Sequence, residues 1–242
     1  MANIFPKSAN WLPIKIAVIV LIFIAPAVTA GVWYYFTPKY SRVGYQPVQP
    51  VSFPHNVHVD QLGMDCRYCH SFVEVAAHSN IPTTQVCMNC HSQVQKDNPK
   101  LEPIRASWKT GQPVEWVQLH RTPDYVFYNH AAHVNRGISC ASCHGQINQM
   151  AVVRHDKPHS MAWCLECHRH PENFLRPENE ITNLDWKPEN VKPAEFVAKY
   201  GQPKDAEEDF ATKEKLTQRE IGQTLKERWN IQPPLNCQGC HR

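Results

Sequence analysis

Every cysteine in this chain belongs to a Cys-x-x-Cys-His pentapeptide, and the pentapeptide occurs five times in 242 residues. The copies are Cys66-Arg67-Tyr68-Cys69-His70, Cys87-Met88-Asn89-Cys90-His91, Cys140-Ala141-Ser142-Cys143-His144, Cys164-Leu165-Glu166-Cys167-His168 and Cys237-Gln238-Gly239-Cys240-His241. Residues three apart share one face of a helical turn. Two thiols so placed reach the two vinyl groups of a single porphyrin, and the histidine after the second comes over its centre. The pattern is that of c-type haem attachment, with His70, His91, His144, His168 and His241 as proximal iron ligands. A zinc site would need two Cys-x-x-Cys halves or a distant histidine pair, and gives no reason for a histidine after each second cysteine. A thioredoxin-like motif would occur once, and a disulfide framework would not repeat one spacing with no cysteine left over. The expected load is five covalently attached haems, on Cys66/Cys69, Cys87/Cys90, Cys140/Cys143, Cys164/Cys167 and Cys237/Cys240.

Five porphyrins change what the chain must fold into. With about 37 residues of soluble chain per haem, the cofactors themselves supply much of the apolar interior. The expected class is therefore mainly helical and irregular, with short helices and loops wrapped round stacked haems. Formal net charge is only +3 and charged residues make up 19% of the chain, which gives no footing for nucleic acid.

The one long apolar run is Ile14 to Phe36, and from Ile16 onward it carries no charge. That length crosses a bilayer as a helix, with Trp11 before it and Trp33, Tyr34 and Tyr35 at its end as interfacial anchors. Val28-Thr29-Ala30 offers a signal-peptide cleavage site, but the apolar run continues past it, so an uncleaved anchor is expected. Lys7 and Lys15 before the span balance Lys39 and Arg42 after it, so charge alone does not orient it. Because c-type haem is attached outside the bacterial cytoplasm, the N-terminus is expected inside the inner membrane and the haem region in the periplasm. The expected organisation is a cytoplasmic N-terminus over 1–13, a transmembrane helix over 14–36 and a periplasmic tether over 37–54. A first dihaem module over 55–95, a connector over 96–127, a second dihaem module over 128–170 and a C-terminal extension over 171–242 with the fifth haem follow.

The two modules are an internal repeat. Phe53-Pro54-His55-Asn56-Val57-His58-Val59 leads to Gly63-x-x-Cys66, and Tyr128-Asn129-His130-Ala131-Ala132-His133-Val134 leads to Gly137-x-x-Cys140. The offset is 74 or 75 residues, which points to duplication of a unit carrying two haems. Histidines three apart project the same way and cannot bind one iron from opposite sides. His55 and His58, and likewise His130 and His133, therefore serve as distal ligands to different, neighbouring irons. For the fifth distal position His120 is the leading candidate and Met161, three residues before Cys164, its rival; a thioether ligand would raise that haem's potential. His78 and His155 each precede a haem cysteine by nine residues. His159 and His170 read as solvated or propionate-contacting. In the tail, Pro193–Tyr200 reads as a helix stopped by Gly201, and Asp209 to Trp229 as another with a stripe at Ile221, Leu225 and Trp229.

On the aromatic-x-His-x-x-His elements, Cys66-Arg67-Tyr68-Cys69-His70 and Ser160-Met161-Ala162-Trp163-Cys164-Leu165-Glu166-Cys167-His168, the chain resembles class III multihaem cytochromes. With one N-terminal span and five haems, it is most similar to the pentahaem subunit of alternative complex III, well over residues 45 to 170 and poorly beyond Pro171. The resemblance implies a membrane quinol-oxidising respiratory complex. Its other parts would be an iron–sulfur subunit like molybdopterin oxidoreductases, polytopic quinol-binding subunits and a monohaem cytochrome c, with electrons leaving to a cytochrome c or a terminal oxidase. The chain itself is then an electron-transfer subunit without catalytic residues. The alternatives are an anchored quinol dehydrogenase that oxidises quinol itself, and a multihaem reductase. The second needs an open iron position, whereas all five motifs end in histidine.

Overall fold

The computed structural model describes residues 6–36 and 41–241. Residues 1–5, 37–40 (Lys39 among them) and 242, which fall within the expected N-terminus, tether and extension, lie outside the described residues. The chain divides into two compact units, Met1–Gly44 and Tyr45–Arg242.

The first unit is one long apolar helix, Lys7–Phe36, with a mean hydropathy of 2.5 in its best window. It is the one helix among the described residues long and apolar enough to cross a membrane. Its side chains from Leu12 to Phe36 form no buried core. The helix changes register at Val20–Ile24, where it widens to a π turn before resuming α geometry over Ala25–Phe36. Pro26 explains this. A proline inside a helix lacks its N–H and pushes on the carbonyl four residues earlier, and a π turn, closed here by Ala25 N–H to Val20 O, relieves that clash.

The second unit is built from short helices joined by irregular chain. Among the described residues it has no strand, only a single antiparallel bridge between Ile138 and Leu175. The haem motifs sit on helical turns: Cys66–Cys69, Thr84–His91, Cys140–His144, Met161–Arg169 and Cys237–Cys240. Asp65, Ser139 and Asn236, each just before a first cysteine, cap their turns by accepting a backbone N–H from Arg67, Ala141 and Gly239. Such caps satisfy donors that a one-turn helix leaves unpaired.

The apolar core lies away from most of the motifs, in the segment after Pro171. Leu175, Trp186, Phe196, Phe210, Leu216, Ile221 and Leu225 form one buried cluster, against which Ile138 and Trp229 pack. Ile221 and Leu225 are fully buried, and each such side chain contributes about 1.5–3 kcal/mol. The helix Pro193–Tyr200 ends at Gly201, and Ile221 and Leu225 form the buried stripe. The helix expected from Asp209 is shorter, Gln218–Arg228. Thr217 starts it with a capping box, its side chain accepting from Glu220 N–H while the Glu220 carboxylate accepts from Thr217 N–H. Upstream, Phe210–Thr212 makes a separate 3-10 turn that lowers Phe210 into the core.

The segment expected to be a tether is laced into the haem-bearing unit from Tyr45 onward. His155 N–H donates to Tyr45 O (2.9 Å), Gln49 Nε2 donates to Val117 O (2.8 Å) and Asn56 N–H donates to Met150 O (3.2 Å). Val51 is buried.

Candidate haem centres

The two repeats fold alike around their histidine pairs. Phe53 stands edge-on to His55 (ring centroids 4.8 Å, 83°) and stacks on His58 (4.3 Å, 25°). Tyr128 stands edge-on to His130 (4.7 Å, 84°) and stacks on His133 (4.6 Å, 29°). The aromatic residue of the motif is thus a wedge that meets one imidazole edge-on and the other nearly face to face. Gly63 and Gly137 both adopt positive φ, 65° and 84°, which turns the chain from the histidine helix into the capped haem turn. Side-chain-bearing residues rarely adopt this conformation. A Cβ at 137 would also overlap the Trp229 ring and the Arg176 carbonyl.

The repeat offset drops from 75 to 74 between the histidines and the glycine because the first copy has one more residue there. That residue is absorbed in a π turn, Asn56–Gln61, where the second copy has an α turn, His130–Val134. One inserted residue makes a π turn of this kind, and the histidine geometry is kept.

The second histidine of each pair faces a motif histidine. The His58 and His91 ring centroids are 6.2 Å apart, and those of His133 and His168 are also 6.2 Å apart. Two imidazoles bound to one iron from opposite sides, each through a nitrogen at about 2 Å, place their ring centres roughly 6 Å apart. In all four rings Nδ1 is within hydrogen-bond distance of a backbone carbonyl: His58 with Pro54 (3.0 Å), His91 with Val94 (2.9 Å), His133 with Asn129 (2.7 Å) and His168 with Pro234 (2.8 Å). A ring that donates through Nδ1 carries its lone pair on Nε2, the nitrogen free to bind a metal. The spacing and the donor set both fit haem iron. His70 and His241 are held the same way, by Asn80 O (2.8 Å) and Tyr125 O (3.2 Å).

The first histidine of each pair is half-buried near other imidazoles. His55 is lowered to about 4 by burial and then by the nearby His70 and His58, and its buried Nδ1 has no hydrogen-bond partner. His130 bonds Ala77 O through Nδ1 (3.1 Å) and is lowered by burial, with His78 and His70 adding to the effect. Burial likewise lowers His133 and drives His144 well below the ordinary imidazole range. Each shift favours the neutral ring, the state that ligates metal.

His120 has a different setting. Its ring stands at 90° to His144 with centroids 4.4 Å apart, and its Nε2 is 3.4 Å from His144 Nδ1. That gap is too short for an iron between the two rings, so His120 does not lie opposite His144. It belongs instead to a cluster with His155 (5.2 Å) and His159 (5.7 Å). His159 is part of this cluster, its Nε2 3.1 Å from Cys143 O and its ring 5.1 Å from Trp163. His170 is half exposed beside Glu172. Met161 is exposed at the start of the helix that carries Cys164. The wedge role of Phe53 and Tyr128 and the carbonyl acceptors were invisible to motif reading. The former is encoded by an aromatic residue two before each His-x-x-His. The latter are main-chain atoms and leave no sequence signal.

None of the ten cysteines is paired in a disulfide. Residues 51–108 match the family described as cytochrome c7 and related cytochrome c. Over this segment the chain is similar to that family. A curated relative, the "Menaquinone reductase, multiheme cytochrome c subunit" of Nitratidesulfovibrio vulgaris (strain Hildenborough), is 38% identical over 119 residues, covering 49% of this chain and 54% of the relative. The chain spans about half the length of the curated relative it matches.

Proposed function

We propose that this chain is the electron-transfer subunit of a membrane respiratory complex, conducting electrons through five covalently bound c-type haems between a quinone pool and a redox partner outside the cytoplasm. The observation that carries the proposal is the pair of 6.2 Å imidazole gaps, reproduced in both repeats. Each haem, once attached, supplies a one-electron carrier whose potential follows from its axial ligands and burial. The residues of the chain attach, orient and shield it. In this reading Cys66/Cys69, Cys87/Cys90, Cys140/Cys143, Cys164/Cys167 and Cys237/Cys240 are the thioether anchors. His55 pairs with His70, His58 with His91, His130 with His144 and His133 with His168. For the haem of His241 the setting favours Met161 over His120. His120 is engaged with His144, whereas Met161 lies one turn before Cys164, a thiol within electrostatic reach of Cys240.

The helix Lys7–Phe36 is then a single membrane anchor, with the haem-bearing unit on the outer side of the inner membrane. Between Ile16 and Val28 it has no polar residue and so offers no proton acceptor. A quinone pocket needs a concave apolar surface with placed polar groups, which we assign to polytopic partner subunits. An iron–sulfur or molybdopterin-type subunit and a monohaem cytochrome complete the assembly in the arrangement of alternative complex III. The relative's name, a menaquinone reductase subunit, favours menaquinone as the quinone. It also raises electron flow toward the quinone beside the quinol-oxidising direction.

The test compares the haem-loaded chain alone with the complex extracted gently from its membrane. Dithionite should reduce both. Only the complex should exchange electrons with a menaquinol or menaquinone analogue in an inhibitor-sensitive way. Rapid, inhibitor-sensitive reduction of the single subunit by quinol would overturn the assignment in favour of a quinol dehydrogenase.

A further inference from the structure

Sequence order says nothing about which haem neighbours which, but the contacts between the five motifs do. Motifs Cys66 and Cys87 meet through their own variable residues, Asn89 Nδ2 donating to Tyr68 Oη at 3.2 Å. Cys69 lies within electrostatic reach of Cys87 and Cys90. Motif Cys66 also meets motif Cys140, the Cys66 and Cys140 thiols lying within interaction reach of each other. Their two caps are tied to adjacent residues of one strap, Thr182 Oγ1 donating to Asp65 Oδ2 (3.0 Å) and Ser139 Oγ to Ile181 O (2.8 Å). The repeats are joined at the same place by His130 N–H to Ala77 O (3.0 Å) and Ala131 N–H to Ala76 O (3.2 Å).

From Cys140 the contacts run onward. Cys143 is within reach of Cys164 and Cys167, and His159 bridges the two motifs between Cys143 O and the Trp163 ring. Cys164 is within reach of Cys240. His168 Nδ1 lies 2.8 Å from Pro234 O, three residues before Cys237. Phe127 N–H donates to Cys240 O at 2.8 Å. These contacts make four junctions that string the motifs in the order Cys87, Cys66, Cys140, Cys164, Cys237. Exposure is an independent observation that marks the same two ends. Of the ten cysteines only Cys90 and Cys237 are exposed, one in each terminal motif.

We infer that the five haems form one unbranched path in that order, so that the Cys87 and Cys237 haems are the two places where partners exchange electrons with the chain. The path starts inside the first repeat, crosses to the second through the Cys66 and Cys140 haems, and leaves through the tail. Placing the repeats' first haems back to back makes the duplicated unit a continuous conductor, since each repeat then presents its second haem outward. The inference rests on the haem reading above.

Two variants of the full-length, haem-loaded protein in detergent test it: Cys87→Ala with Cys90→Ala, and Cys140→Ala with Cys143→Ala. Intact mass gives the haem count first. Five haems in the unaltered chain and four in each variant uphold the haem reading, and any other count in the unaltered chain overturns that reading itself. An EPR-monitored redox titration then reads the order, because a charge change at one haem is felt most by its neighbours. Loss of the Cys87 haem should shift the titration of one remaining haem, and loss of the Cys140 haem should shift two. Two or more shifted haems in the first variant, or only one in the second, would overturn the order while leaving the haem reading intact. Should a variant fail to mature, an experimental density map of the unaltered holoprotein reads the sequence of porphyrins directly. A branch, or any other neighbour order, overturns the inference.

Discussion

Replacing His58 by alanine isolates the trans-ligand argument in the copy where nothing can substitute. The His58 ring lies 6.2 Å from His91 and is stacked on Phe53 at 4.3 Å. Truncation to a methyl removes the imidazole nitrogens on the side facing His91, and the phenyl ring beside them has no lone pair to offer. The lost stacking amounts to about 0.5–1.5 kcal/mol, too little to unfold a chain whose haem is held by two thioethers. The effect is therefore confined to one iron: one haem in five should pass from low spin to high spin, and its potential should rise with the loss of an imidazole donor. The assay is the EPR spectrum of the oxidised protein, with spin quantitation against total haem from a pyridine haemochrome measurement. Added imidazole should fill the opened site and restore the low-spin signal. His155→Ala, in the histidine cluster away from this pair, is the control and should keep five low-spin haems. If His58→Ala also keeps five low-spin haems at unchanged potentials, the 6.2 Å gap is not a ligand site.

Two further outcomes follow from the tail and from a cap. Leu225→Ala opens a cavity in a fully buried cluster and should cost about 2–5 kcal/mol; Gly222→Ala should also destabilise, because a Cβ there overlaps the Glu172 carbonyl. Hydrogen exchange of residues 171–230 should report both, with the low-spin spectra unchanged; equal protection in variant and wild type would refute the core assignment. Asp65 is held at about 2, chiefly by hydrogen bonds from the Arg67 side chain. Its folded value lies below the ordinary carboxyl value, so its stabilisation is complete above roughly pH 4 and is lost as pH falls toward 2. The Arg67 pair is itself about half exposed and contributes little, so Asp65→Ala should cost about 1 kcal/mol, mainly from the cap. A stability difference from wild type that persisted unchanged at pH 2 would refute this.

How much of the molecule could be read beforehand depends on whether the signal is a side-chain identity. The haem turns were legible because Cys-x-x-Cys-His is a chemical requirement, and the apolar run Ile14 to Phe36 because nothing polar interrupts it. The helix after Thr217 begins nine residues later than Asp209, since charged residues from Asp209 on suit a helix until the capping box at Thr217 and Glu220 is weighed. The Tyr45–Pro54 segment looked like a linker because its prolines suit one, whereas its attachments run through Gln side chains and carbonyls to residues far along the chain. The core of the tail was not anticipated, because Leu175, Trp186, Phe196 and Phe210 come from separate short turns and show no common period. His120 was drawn toward a ligand role by its position before the second repeat, and only three-dimensional proximity shows it behind His144.

The two repeats also separate what the site requires from what it tolerates. The wedge ring differs, Phe53 against Tyr128; the cap differs, Asp65 against Ser139; and the connecting turn differs by a whole residue. A residue inserted into an α turn rotates everything after it by about 100°, which would swing the haem turn away from its histidines. The π turn at Asn56–Gln61 absorbs that rotation locally, and positive φ at Gly63 and Gly137 then delivers the chain to the same place in both copies. Against those changes, the aromatic-to-histidine angles agree within a few degrees and both imidazole gaps are 6.2 Å. What is held constant is the separation of two imidazoles, at the spacing expected of two rings on one iron. Deleting Leu62, which lies between the first histidine pair and Gly63, should therefore convert the π turn to an α turn and leave the low-spin spectrum intact. Loss of the His58–His91 low-spin signal on that deletion would show that the first repeat depends on its extra residue.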